Sequence, residues 1–423
     1  MSWAVTVYLV PSILGGSCAA MLKQRLGTRN TLFMAGLVFL AGTLVASLAG
    51  SMTTILLGRA LQGAGDGVIA ALCYALIPAL FPSALIARVF GVEAMVWAGS
   101  AFGGPLLSGL VTQWLGWRAA FLVNVPLIAG FLALVPLVAP REPPRTPGSP
   151  GTVPGARLVA IALGIMSVAL ANVLPGAAVK LACLSLAVVL LVWSVRRDRS
   201  SAMRLFPTTM FRLSSRIGSI YWIVLLMPLA QAVSGVYLVL ALQRIWDFRP
   251  AAAGCIGALM ALSWSGSALL VAGRPGVRTR LARLGPALNA VGLLGLLLAL
   301  RSGSVAVVVL AQVVVGTGFG LCWATLSQVV MEAAEPAERD RATALLPTVQ
   351  SAGYAIGAAV AGLAANGGGL PQALRTGAAV SAPISYAYGV SMVIAAAAAL
   401  VPALASRIRS RQSRRAGPLG SSS

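Results

Sequence analysis

The chain has 423 residues, 58% of them hydrophobic and 9% charged, with a formal net charge of +22. A soluble domain draws roughly 25% of its residues from Asp, Glu, Lys and Arg, so 31 basic and 9 acidic residues cannot cover a folded soluble protein of this length. The composition excludes a soluble protein and makes the lipid bilayer the solvent for its apolar surface.

The basic residues stand in short clusters between long apolar runs. A polytopic membrane protein marks its loops in this way, whereas a nucleic-acid groove needs a continuous basic face, so no nucleic-acid partner is expected. The five cysteines (Cys18, Cys73, Cys183, Cys255 and Cys322) lie singly inside apolar runs, and there is no histidine. Disulfide frameworks, a metal site and histidine-based catalysis are therefore not expected. The phosphate-binding pattern Gly-x4-Gly-Lys-Ser/Thr does not occur. Nucleotide hydrolysis is accordingly not the expected energy source, and neither an enzyme nor a cofactor is predicted.

A membrane span needs about 20 mostly apolar residues. Thirteen runs of that order occur, at 4–22, 31–50, 53–80, 85–113, 118–140, 157–174, 178–195, 217–241, 250–272, 284–301, 304–332, 341–365 and 385–405. The first has no basic segment before it and is followed at once by Lys23, Gln24 and Arg25, which fits a retained span better than a cleaved signal peptide. Counting Lys and Arg on alternate loops gives 24 on one side and 6 on the other. By the positive-inside rule the richer side, which includes the tail residues Arg407 to Arg415, is cytoplasmic, and Met1 lies outside.

Several local patterns carry more than hydropathy. The loop after the first run contains Arg25, Gly27 and Arg29, and its Arg-Leu-Gly core recurs at Arg283-Leu284-Gly285. Taken alone, such a basic loop fits any cytoplasmic turn, but recurrence in two halves is the mark of an internally duplicated transporter. In the third run Arg59 and Asp66 are seven residues apart, close to two helical turns, with Gln62 on the same face. Charges at membrane depth cost on the order of 2.5–3.5 kcal/mol each, so this face looks toward protein or water, and an intramembrane carboxylate is a candidate proton site. A purely structural pair is the alternative. The fourth run carries Gly91, Ser100, Gly104, Pro105, Ser108 and Gly109, small residues suited to close helix packing. Glu93, near Arg88 in that run, is a second carboxylate, for which a surface salt bridge to Arg88 is the expected state.

Together these residues resemble the major facilitator superfamily, and within it the fourteen-helix drug:proton antiporters. Gly58-Arg59-x2-Gln62-Gly63-x-Gly65 resembles the family's fourth-helix arginine motif, associated with proton transfer. Gly91-x8-Ser100-x3-Gly104-Pro105-x2-Ser108-Gly109 resembles its fifth-helix antiporter motif, with Ser for Gly at two positions. Gly116-Trp117-Arg118 through Pro126 resembles the start of the sixth helix, Trp3-x2-Thr6-x-Tyr8 the start of the second, Arg249-Pro250 and its flanks the tenth, and Gly353-x3-Gly357-x4-Gly362 the thirteenth. The loop departs from the family by placing Gln24 where an aspartate is usual and Ala20 where a glycine is usual, so a gating ion pair made by that aspartate is not available. The alignment also starts at the family's second helix.

The resemblance implies an all-α integral membrane protein with the major facilitator fold, two pseudo-symmetric bundles and a two-helix insert. Residues 1–140 would form a five-span N-terminal bundle, 141–216 cytoplasmic links and the insert, 217–405 a six-helix C-terminal bundle, and 406–423 a basic disordered tail. The expected function is proton-coupled export of a small lipophilic or cationic compound across a bacterial inner membrane by a monomer. A metabolite facilitator or importer, or a membrane protein that does not transport, are the alternatives. Asp66 would bind the proton, Arg59 would set its proton affinity and Gln62 would orient the pair, while Arg25, Gly27 and Arg29 would form the gating loop. Aromatic and neutral polar residues on helices bordering the central path, Tyr221, Trp222, Gln231, Tyr237, Gln312, Trp323 and Gln328, are the expected substrate contacts. The charge tally makes a direct prediction: a cysteine introduced at Ser421 will react with a membrane-impermeant maleimide only after the membrane is opened, and labelling of intact cells would reverse the topology.

Overall fold

The computed structural model describes residues 2–415 except 142–154, 172–173, 175, 202–203, 273–282 and 337, and each regular element among them is an α-helix. In chain order these are α1 (Ser2–Leu26), α2 (Thr28–Ser47), α3 (Met52–Leu80), α4 (Ser83–Leu115), α5 (Trp117–Leu122), α6 (Asn124–Val138), α7 (Gly155–Ala171) and α8 (Ala177–Arg199). They continue as α9 (Arg216–Ile245), α10 (Pro250–Ala272), α11 (Gly285–Ser302), α12 (Val305–Ala333), α13 (Arg339–Gly367), α14 (Leu370–Thr376) and α15 (Ser381–Arg415). Among the described residues ten helices, with α5 and α6 taken as one, are long and apolar enough to cross a membrane.

Each apolar run read from the sequence falls on helix, and the differences are local. The fifth run breaks at Val123, because Pro126 two residues into α6 has no N–H to give and its ring crowds the carbonyl of Leu122. The Asn124 side-chain amide donates instead to the Phe121 carbonyl at 3.3 Å. At the other end, α15 continues through Arg415, so residues 406–415 are helical where disorder was expected. Basic side chains suit a helix C-terminus, where the aligned peptide dipoles leave partial negative charge. Residues 416–423, the link 142–154 and the Arg280 to Ala282 part of the repeated loop lie outside the described residues.

Two helix joints are single glycines with left-handed backbone, Gly27 (φ 78°) between α1 and α2 and Gly116 (φ 83°) between α4 and α5. A side chain there would meet the following carbonyl, so glycine permits the chain to turn in one residue.

Helices α1, α2, α3 and α6 pack together, as do α9, α11, α12, α13 and α15, while α7 and α8 form a hairpin resting on α1 and α13. Between the two groups run contacts of α1 and α3 with α13, and of α4 with α10 and α12. An apolar cluster joins Tyr74, Ile86 and Phe90 of α3 and α4 to Phe319, Trp323 and Met331 of α12 and Leu345 and Leu346 of α13. Leu57, Trp114, Leu137, Val188 and Leu270 are exposed apolar side chains that suit a hydrocarbon surround.

Several helix pairs meet backbone to backbone, three of them through two glycines set one turn apart on one helix. A Cβ added to Gly63 or Gly67 of α3 would overlap the carbonyl oxygen of Tyr8 or Ser12 of α1. Gly316 and Gly320 of α12 stand in the same relation to the Met260 and Trp264 carbonyls of α10, and Gly353 and Gly357 of α13 to those of Leu225 and Leu229 of α9. In each pair the glycines and the facing carbonyls are both four residues apart, one helical turn, which is how small residues let helices approach in lipid. Gly104, expected to do this in α4, does not: no atom lies within 4 Å of where its Cβ would stand, as at the nearby Gly99 and Gly103. That stretch faces no neighbouring helix at these positions. Gly67→Ala should therefore lower stability by about 1–3 kcal/mol by forcing α1 off α3. Gly130→Ala, at a position with nothing within 4 Å, should leave it unchanged or slightly raised; thermal melting in detergent distinguishes the two, and equal melting would contradict the packing.

Candidate functional site

The close approach of α1 and α3 sets the geometry around Asp66. With Tyr8 and Ser12 one turn apart on α1 and pressed over Gly63 and Gly67, both side chains reach the polar face of α3. The Ser12 hydroxyl donates to Asp66 Oδ2 at 3.2 Å, and Tyr8 lines the same cavity beside this carboxylate. The Arg59 guanidinium lies over the Tyr8 ring, 4.2 Å from its centroid, and donates to Gln62 Oε1 at 3.0 Å. Gln62, almost fully buried, passes its amide proton to Thr43 Oγ1 of α2 at 3.0 Å. Tyr8 thus stands beside both charges, with its ring under Arg59, and Gln62 holds the arginine.

Asp66 opens on a cavity of about 480 Å³, within the range of drug-sized sites. Its wall is formed by Tyr8, Ser12 and Asp66 from α1 and α3, Phe90, Glu93 and Trp97 from α4, Met260 and Trp264 from α10, Trp323 from α12, and Thr348 and Tyr354 from α13. Among the described residues, neither Lys nor Arg lines the cavity. Most of the wall is aromatic or aliphatic, and it holds two carboxylates, Asp66 and Glu93.

Glu93 departs from the reading of its sequence. Five residues place Arg88 and Glu93 about 140° apart around a helix, so Arg88 is exposed while Glu93 turns into the cavity. Its Oε1 accepts from the Tyr74 hydroxyl at 2.5 Å and from Trp97 Nε1 at 3.3 Å, and Trp323 Nε1 donates to the Tyr74 oxygen at 3.3 Å.

Of the seven residues expected to contact substrate, Trp323 lines this cavity and the other six stand elsewhere. The Tyr221 hydroxyl donates to the Ala342 carbonyl and Trp222 Nε1 to that of Phe211 at 3.5 Å. Gln231 donates to Met260 Sδ at 3.2 Å, and Gln328 to Glu332 Oε1 at 2.5 Å. Tyr237 and Gln312 are buried among helices of the second group. The amide oxygens of Gln231 and Gln312 are buried without a partner among the described residues. Helical position on a bordering span did not identify the lining, because most of each such helix faces its neighbours instead. Of the antiporter-motif positions, Gly91 is buried while Ser100 and Gly104 are exposed; the side-chain surroundings of Pro105 and Gly109 lie outside the described residues. In the loop, Gly27 makes the turn, Arg25 is exposed and Arg29 half-buried. The ion pair there is made by the neighbouring Lys23, whose Nζ is 2.9 Å from Asp340 Oδ2 at the start of α13.

Tyr8, Ser12, Thr43 and Tyr74 were not singled out as site residues by sequence reasoning. Tyr8 carried a signal, since it stood in a motif at the start of the chain, but its contact with Asp66 depends on the register of the α1–α3 crossing.

Comparison with known proteins agrees with this architecture. The model of the Major Facilitator Superfamily matches residues 1–275. A probable multidrug-efflux transporter of Mycobacterium tuberculosis is 32% identical over 384 residues, 86% of this chain and 80% of the relative. The uncharacterized transporter YebQ of Escherichia coli is 25% identical over 372 residues, again 86% and 80% of the two chains. Among solved structures, the human organic anion transporter MFSD10 matches with a TM-score of 0.66 at 17% identity, over 95% of this chain and 83% of that one. The proton:xylose symporter XylE matches at 0.63 and 16% identity, over 94% and 84%. At these identities the structural likeness is one of fold. With membrane-length helices, a central cavity between helices from both parts of the chain, and a family match over more than half its length, the chain belongs to the Major Facilitator Superfamily and is a transporter rather than an enzyme.

Proposed function

We propose that the protein exports a small lipophilic or cationic compound in exchange for protons, as a multidrug-type antiporter. The observation that carries this reading is a carboxylate within a membrane-length helix, Asp66, opening on a cavity of about 480 Å³ beside Tyr8, whose ring lies under the half-buried Arg59. Likeness to a probable multidrug-efflux transporter supports the substrate class. Placement of the chain in a bacterial inner membrane with its C-terminus in the cytoplasm, its action as a monomer, and its division into bundles at 1–140 and 217–405 with the insert at 141–216 belong to the same reading. The α7–α8 hairpin between the two groups supports the fourteen-helix branch.

Proton binding at Asp66 has a direct structural consequence. The ionised carboxylate accepts from Ser12; a protonated one becomes a donor itself and loses capacity as an acceptor. Arg59 then loses its counter-charge while keeping its stack on Tyr8. Because Ser12 belongs to α1 and Asp66 to α3, protonation changes how these helices hold each other beside the cavity. A proton can thereby be exchanged for a substrate without the two touching.

Asp66→Asn should reduce pH-gradient-driven substrate movement in proteoliposomes to background while leaving substrate binding to the purified protein intact. Full gradient-driven transport by that variant would remove Asp66 from the coupling step. Arg59→Gln should retain the fold and slow coupled transport, since Gln62 and Thr43 keep their own hydrogen bond; an unchanged rate would show that the arginine acts only as a structural charge.

A further inference from the structure

Asp66 and Glu93 share one cavity but differ in what faces them. Asp66 has a cation nearby, Arg59, held on the far side of Tyr8. Glu93 has only neutral donors, Tyr74 and Trp97. Both meet at Oε1, leaving Oε2 without a hydrogen bond to any described residue. In a protein of net charge +22 the described lining of this cavity holds two carboxyl side chains, Asp66 and Glu93, and neither Lys nor Arg.

The rings around Glu93 complete the arrangement. Tyr74 and Phe90 stack edge to face with centroids 5.6 Å apart, and Trp264 and Trp323 do the same at 5.9 Å. Trp97, Trp264 and Trp323 all line the cavity. A carboxylate flanked by aromatic faces is the chemistry that binds an organic cation with a delocalised or shielded charge, through the ring quadrupoles and one ionic contact. Such a cation sheds its water at low cost and tolerates an apolar wall. A neutral solute gains only the wall.

We infer that Glu93 is the counter-charge for the substrate, that the substrate is a monovalent lipophilic cation, and that this site is separate from the proton site at Asp66. This rests on the transport reading given above. Tyr74, which holds Glu93, stands eight residues from Asp66 on α3, about 12 Å along the axis. Cation and proton are thus assigned to different carboxylates of this one cavity. Tyr74 and Trp323 are positioning residues: the chain of donors from Trp323 to Tyr74 to Glu93 fixes Oε1 and directs Oε2 to the ligand.

The test uses the full-length purified protein and two probes of similar shape, tetraphenylphosphonium and neutral triphenylphosphine oxide, with binding read from tryptophan fluorescence. Wild type should bind the cation more tightly than the neutral probe. Glu93→Gln should weaken the cation by about thirtyfold, the size expected for removing one partner of a buried charge pair, and leave the neutral probe unchanged, which also reports an intact cavity. Glu93→Asp should keep the preference for the cation at reduced affinity, and Asp66→Asn should keep it undiminished. Equal loss of both probes in Glu93→Gln, or no loss of the cation, overturns the inference while leaving proton-driven transport standing. Loss of cation preference in Asp66→Asn overturns the separation of the two sites. Failure of the wild type to move any solute under a pH gradient would instead sink the transport reading itself.

Discussion

Close helix crossings, in which glycines stand directly against backbone carbonyls, hold this protein together. In lipid there is no hydrophobic gain from bringing two apolar helices together, so association depends on close contact and on van der Waals packing. Glycines four residues apart, set over carbonyls also four apart, bring α1 onto α3, α10 onto α12 and α9 onto α13. The first crossing decides the chemistry, because a helix that close must present Tyr8 and Ser12 to the polar face of α3. With a larger residue at position 67 the Ser12 side chain would stand too far from Asp66 to hydrogen-bond it.

Polar groups in the membrane are handled by two contrasting means. Where the role is structural, charges are closed off from the cavity. Arg157 pairs with Asp198, whose carboxylate also accepts from the backbone N–H groups of Leu205 and Phe206 at 2.7 and 3.0 Å, so α7, α8 and the following link are tied at one point. Where a group faces the cavity it is left with unused capacity, as at Glu93. Removing a partner from a closed pair leaves an uncompensated buried charge, which is costly; a group with spare acceptor capacity can take a ligand without breaking anything.

The helices were legible in the sequence because a span has to be nearly continuous in apolar residues, and even the break at Val123 is explained by Pro126. Asp66, Arg59 and Gln62 were legible because seven- and three-residue spacings on one helix fix a common face. What could not be read was the partner across a crossing. Tyr8 and Asp66 are far apart in the chain, and only the register of Gly63 and Gly67 under α1 brings them together. Glu93 was misread because nearness in sequence to Arg88 was taken as nearness in space, although five residues put the two on different sides of a helix. Gln231 and Gln312 show the converse: polar residues on the correct helices point into the packing between helices.

The contact between Lys23 and Asp340 joins the end of α1 to the start of α13, and so ties the two groups of helices at one end of the cavity. It is a light fastening. With Asp340 half exposed, such a pair contributes about 1 kcal/mol or less and is screened by salt. The glycine crossings of α1 on α3 and of α9 on α13 are tight, with backbone carbonyls directly against the glycines. The rest of the seam between the groups is apolar packing of Tyr74, Ile86 and Phe90 against Phe319, Trp323 and Leu345, with Gly16 set closely against Thr348, so loss of the ion pair alone would leave the two groups in contact.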